Sequence, residues 1–564
     1  EQASLPNASD MEAPNILAED MRQFIWDVEH IAFEMEAKIL PQVKQALTEP
    51  NAALLSRFLS PGFRGKVPSE DWQVVASAND WQIRRKEITD GSTQVSALKF
   101  ASQMAGYRAL FDSADDCECG SSIGLVRLGP DKKDSIDGPW SGQWRIRMWG
   151  EREGHPLELL MSLSVDLEPL RSDVESQTNF IRYATLETIE RRESEAPLFR
   201  DVTAQSGIQI SEMYDFWELP SNQFKGSSGG VYLSDYDDDG NVDALVDDAF
   251  IGPVLYRGLG DGSFANANEQ AGIPSGLPSP SGACWADLDN DGDVDLILAG
   301  VMFSNDGDGT FSLIPSDRPT FDVGVAFSVA DYDGDGLVDI YESHAHSPSV
   351  PQKMREGPNA KRTEKPSWID GGWGFDNVLW KNLGDWQFQD VTQRANAGDR
   401  GGAAFSSIWL HANEDRDPDL LSINEFGRNS LLINRGNGSF QNTRLDPVFG
   451  GWSMGVVAGD YDNDGFSDVF ISNMYSKAGN RVISNVDPSR YPEYLYKIIH
   501  EGTLGNKLYR SRGDGTFETV EHDPVFAQVG WTYGCSFTDY NGDGNLDLYA
   551  TAGFKSEKKG KPDG

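Results

Sequence analysis

Cysteine is scarce in this chain, with four among 564 residues, which excludes a small disulfide-stapled scaffold. Histidine is nearly as sparse at seven, so imidazole-rich metal sites have little to draw on. No run of about 20 apolar residues occurs, and no membrane-spanning helix is expected. Basic residues number 48 against 89 acidic ones, for a formal net charge of -41. A surface of that sign repels phosphate, so nucleic acid is not an expected partner. The opening Glu1-Gln2-Ala3-Ser4 offers neither the basic stretch nor the apolar core of a secretory leader, and the expectation is a mature or trimmed chain. No Ser/His/Asp or Cys/His nucleophile set stands out.

Aspartate, by contrast, is abundant in one arrangement. Asp235, Asp237, Asp239 and Asp243 spell D-x-D-x-D-G-x-x-D. The spacing returns at Asp287, Asp289, Asp291 and Asp295, and again at Asp331, Asp333, Asp335 and Asp339. It recurs at Asp460, Asp462, Asp464 and Asp468, then at Asp539, Asn541, Asp543 and Asp547. A worn copy begins at His411 and keeps Asn413, Asp415 and Asp419. Oxygens at positions one, three, five and nine converge once the chain turns sharply, and the glycine at six permits that turn. An all-oxygen donor set suits a hard cation, and its size suits Ca2+ better than Mg2+, which keeps its waters. Five or six Ca2+ ions are expected, with the loop at His411 the uncertain sixth. The plain alternative, a set of solvated acidic turns, leaves the recurrence unexplained.

An EF-hand would place a bidentate glutamate at position twelve. Here that position holds Val246, Leu298, Glu342, Ser422, Ile471 and Ala550. Each loop is instead followed by a β-like run such as Leu296-Ile297-Leu298, so the loops join strands. Bound cations would offset part of the negative charge, and stability is expected to depend on them.

Residues 1-195 read as an α+β domain. Apolar residues from Leu17 to Met35 fall at helical spacing, Pro41 interrupts, and Val43-Leu47 resumes. Alternation suggests strands over about 72-100, 123-128, 144-149 and 158-167, with another at 180-190. A cone-shaped helix-plus-sheet fold of the kind used for small-ligand pockets fits this order. From 196 onward the chain is mainly β. A small residue stands five positions before each acidic loop: Gly230, Gly282, Ala326, Ser406, Gly455 and Gly534. Such residues suit strands crowding together near an axis, and radially repeated sheets protect their edges. Five repeats add a strand-turn-strand hairpin, for instance Leu255-Tyr256-Arg257 followed by Gly260-Asp261-Gly262-Ser263-Phe264. The sixth lacks it, while Leu198 to Thr203 resembles the outermost strand of the third repeat. That segment is expected to complete the last blade of a β-propeller with six or seven blades. One inner strand of that blade stays unassigned, as for a chain cut from a longer one.

Residues 196-564 resemble the FG-GAP/VCBS repeat family, through the acidic loop paired with hairpins such as Asn506-Lys507-Leu508-Tyr509-Arg510 and Gly513-Asp514-Gly515-Thr516-Phe517. The resemblance implies a β-propeller, generally of seven blades, whose loops bind calcium on one face. It also implies adhesion, recognition or scaffolding more often than catalysis.

Two insertions break the rhythm, at about 343-375 and 477-505. The second carries Arg481, Arg490, Tyr491, Tyr494, Tyr496 and His500. Long loops on a rigid scaffold are where binding sites gather, and a glycan or protein ligand is expected there. His344 and His346 alternate along an extended stretch and could share a transition metal, which would favour an enzyme sited in the insertions. A structural part of a surface assembly is the third reading. Millimolar calcium lies outside cells, so an extracellular, cell-surface or periplasmic location is expected. Cys117 and Cys119 read as a small-ring disulfide or, less readily, a soft-metal pair; Cys284 and Cys535 read as buried small residues.

Overall fold

The computed structural model describes residues 19-553 apart from 79, 90, 113-118, 134, 171-176, 210-229, 248-251, 275-276, 278-281, 299, 316-324, 346-375, 400-401, 446-449, 491-492 and 521-523. Two compact units emerge: one holds Pro14–Asp201 with Lys477–Glu493, the other Val202–Ser476 with Tyr494–Gly564. No helix among the described residues is long and apolar enough to cross a membrane.

In the first unit, helix Glu19–Glu34 passes through a π-helical turn, Met35–Ile39, into helix Leu40–Thr48. Pro41 does not end the run; it follows the π-helical turn, where the helical hydrogen-bond pattern is already shifted. These helices cover an eight-stranded sheet whose long strands are Gly120–Pro130, Trp140–Arg152, His155–Leu167 and Ile181–Ser194. Strict alternation along Trp140–Arg152 buries Trp140, Trp144, Ile146 and Met148 on one face. The strand expected over 72-100 is instead Gln73–Ser77, Trp81–Glu87 and Thr93–Val95, followed by helix Ala97–Gly106. That helix buries Phe100, Ala101, Met104 and Ala105, a four-residue repeat that alternation conceals.

Helix Lys477–Asn485, from the second insertion, belongs to this unit. It packs on Gly120–Pro130, the edge strand of the sheet, and so covers an otherwise exposed ladder. Arg481, expected at a ligand-binding rim, is buried and ion-paired to Glu29 at 3.2 Å and Glu36 at 3.2 Å. A guanidinium so enclosed cannot meet a ligand; it fixes the helix.

The second unit is mainly β. Five four-stranded antiparallel sheets follow one another in sequence as the blades of a propeller ring. Their innermost strands are Val231–Ser234, Cys284–Ala286, Ala326–Ala330, Ala403–Leu410 and Ser453–Gly459. A sixth sheet has two strands, Thr532–Thr538 and Asp547–Ala552. Small residues stand where the innermost strands crowd together: a Cβ on Gly282 would lie 2.8 Å from the Val325 carbonyl, and one on Gly455 only 2.2 Å from the Tyr533 carbonyl. The segment expected to close the last blade forms no strand. Leu198 and Phe199 are exposed, whereas Phe388 and Val391 of the third blade are buried. Its continuation does keep the repeat geometry: helix Thr203–Ser206 ends at Gly207, against the Phe264 carbonyl, as Gly272 lies against that of Phe311.

Candidate metal centres in the propeller loops

Each acidic loop links the first strand of its sheet to the second. The first aspartate organises the turn. Asp235 accepts backbone N–H bonds from Asp239 at 3.1 Å and Gly240 at 2.9 Å. Asp287, Asp331, Asp460 and Asp539 repeat both bonds. The position-six glycine takes a positive φ in all five, from 86° at Gly240 to 104° at Gly292, which side chains resist.

Wrapped this way, carboxylates converge. Asp235, Asp237 and Asp239 form one triplet; Asp287, Asp289 and Asp291 a second; Asp460, Asp462 and Asp464 a third. In the third blade the group is Asp331, Asp333 and Asp339. Within each group the ligand oxygens lie within 4.8 Å of one another, so each could hold a metal ion. The donors fit a hard cation in another respect. Oδ1 of Asp237, Asp289 and Asp333 is buried with no hydrogen-bond donor, a costly state for a carboxylate oxygen unless a cation satisfies it.

Position nine does something more. Asp295 is fully buried and accepts from the backbone N–H of Leu288 at 2.7 Å and of Asn305 at 2.9 Å. Asp243, Asp339, Asp419 and Asp468 make the same pair of bonds, one within the loop and one to the third strand. Burial pushes Asp295 and Asp339 up to about 7, and Asp419 to about 6.

The loop is also stitched to its neighbour. Asn305, Asn382 and Asn434 each donate through Nδ2, at 2.8 Å, to the position-two carbonyl of the preceding loop: Tyr236, Leu288 and Tyr332. A second set works beside the second strand. Asn377, Asn429 and Asn506 accept the N–H of His344, Asn424 and Asn473, and donate to Ser422, Ser453 and Thr532 of the following sheet. Sequence reading missed the first set, although each stands two residues before a hairpin-turn glycine.

The worn loop separates these roles. Asp419 keeps both backbone bonds, to Ala412 at 2.9 Å and Asn434 at 2.7 Å. His411 stands where the other loops have an aspartate, and among the described residues the fourth loop has no group of three carboxylates. In the sixth loop, Asp539, Asn541 and Asp543 make the local turn bonds, and Asp547 accepts from Tyr540.

Cations face three triplets. Arg257 pairs with Asp237 at 2.6 Å and Asp239 at 2.7 Å. Lys381 pairs with Asp333 and with Asp335, the latter at 2.7 Å. Arg510 pairs with Asp462 at 2.7 Å and Asp464 at 3.1 Å. The equivalent third-strand residues are Ser304 in the second blade and Ile433 in the fourth.

His344 is buried with Nε2 3.1 Å from Glu342 Oε1, and Trp380 donates its indole N–H to the same carboxylate. Among the described residues His344 joins no metal-capable group. His346 and most of the first insertion lie outside the described residues, as do Cys117 and the side chains of Arg490, Tyr491 and Tyr494. Cys119 is disulfide-bonded, whereas Cys284 and Cys535 are free and half-buried.

Comparison with known proteins adds three findings. Residues 235–298, 412–471 and 498–550 match the family model of the FG-GAP-like repeat. No curated protein matches the sequence. Among solved structures, the chain is similar to the V. cholerae biofilm matrix protein Bap1, at 14% identity and a TM-score of 0.29, over 55% of this chain and 41% of that one. It is also similar to rhamnogalacturonan lyase YesW, at 11% identity and a TM-score of 0.25, over 73% of this chain and 76% of that one. The chain thus spans about two-fifths of the length of the first.

Proposed function

From a chain that carries FG-GAP-like repeats on a β-propeller, we infer a secreted or surface-exposed recognition module that loads Ca2+ in its acidic loops. The observation that carries this reading is the set of four aspartate groups, three of them with a buried carboxylate oxygen that no donor meets. Oxygen-only donors at that spacing select a hard cation, and the loops suit millimolar extracellular calcium. Asp235, Asp237 and Asp239 would hold one ion, with the equivalent residues of the second, third and fifth blades holding others. Asp539, Asn541 and Asp543 offer the same donor class in the sixth loop. Bound ions supply charge neutralisation; the chain's own work is to present loops of a rigid ring to a glycan or protein ligand.

Metal analysis of protein dialysed against calcium, with and without prior chelation, tests the loading. Four or more calcium ions per chain are expected, falling to none after chelation; a calcium-free protein would overturn the proposal. Glycan-array and pulldown screening with and without calcium then tests recognition. Capture that disappears on chelation is expected, and silence in both conditions argues against a recognition role.

A further inference from the structure

The aspartate triplets are nearly alike, but what faces them is not. In the first, third and fifth blades the residue before the end of the third strand is Arg257, Lys381 or Arg510. Each bridges the carboxylates at positions three and five of its own loop. In the second blade that place belongs to Ser304, whose hydroxyl turns to the Asn305 carbonyl instead. The second loop also carries Asp293 at position seven, where the other triplet-forming loops have Asn241, Leu337 and Phe466. Five aspartates, 287 to 295, therefore stand together with no cation from the third strand.

A divalent ion entering the first, third or fifth loop must displace an ammonium or guanidinium, or share its carboxylates with one. Two like charges about 4 Å apart repel by roughly 1 kcal/mol in water and more near a protein surface. Without the ion, the same side chain neutralises the carboxylates that would otherwise repel one another. We propose that Arg257, Lys381 and Arg510 are built-in counter-ions that weaken calcium binding in their own loops, leaving Asp287, Asp289 and Asp291 as the tightest of the four aspartate triplets. This rests on the calcium reading above. Calcium would then fill the loops in order, the second blade first.

Calorimetric calcium titration of the chelator-stripped full chain tests it. One tight site is expected, separated from weaker ones by at least about tenfold, the factor that 1.4 kcal/mol of repulsion yields. Ser304→Arg should weaken the tight site by about tenfold, whereas Ser304→Gln, polar but uncharged, should leave it intact. Lys381→Ser should strengthen one weak site by a similar factor. If calcium binds but S304R and K381S leave every affinity in place, the counter-ion role is overturned while the calcium reading stands. If no calcium binds, the calcium reading itself fails.

Discussion

The acidic loop of the second blade and that of the fourth share a backbone plan and differ in what the plan holds. Asp295 and Asp419 are both buried, both accept from position two of their loop, and both accept from an asparagine of the third strand. The second loop adds a carboxylate triplet, and the fourth does not. One nonapeptide therefore carries two features. Its last aspartate binds the loop to its own sheet through backbone N–H bonds, and its other acidic positions, joined by Asp339 itself in the third blade, converge into a group that could hold a metal ion. The fourth blade keeps the backbone bonds of Asp419 without a triplet of carboxylates beside them.

The strongest way to break this comparison is to remove the shared carboxylate. Asp419→Ala leaves two buried backbone N–H groups without acceptors and should cost about 2–4 kcal/mol in urea unfolding, as should Asp295→Ala. If the fourth loop proves indifferent, the fold role is wrong. pH gives the next effect. Burial raises Asp419 to about 6, above its unfolded value near 3.8, so the folded state binds the extra proton between those limits. Stability from this group is present below about pH 4 and is lost as pH rises through about 6, by roughly 3 kcal/mol. Carboxyl NMR in chelator should find its midpoint well above those of exposed aspartates. Smaller again is Asn434→Ala, which removes the stitch to the Tyr332 carbonyl and should cost about 1–2 kcal/mol. Least of all, Asp287→Asn should change stability in chelator by less than about 1 kcal/mol while deleting one calcium per chain by metal analysis. Equal calcium content in D287N and the parent would detach the triplet from metal binding.

Much of the propeller was legible because its determinants are local. Spacing, glycine and alternation state where a loop turns and where strands flank it, and five sheets appear where five hairpins were read. Asp243 and its equivalents were grouped with the other ligands by spacing alone; only burial and partner geometry show that they also bind backbone amides. Asn305, Asn382 and Asn434 were overlooked because the atoms they serve belong to another repeat. Helix Ala97–Gly106 was hidden inside a window judged by alternation. The largest departure concerns Arg481. An arginine in a long insertion reads as a surface cation, and nothing near residue 481 announces Glu29 and Glu36, some 450 positions earlier.

That last pairing has a consequence for how the protein is made. Translation delivers the sheet and helices of the first unit long before it delivers Lys477–Asn485, the helix that covers their edge strand. Until then the nascent unit displays an open strand edge beside two carboxylates awaiting their guanidinium. The unit is thus completed late in synthesis, only after four blades and the first two strands of a fifth have been made.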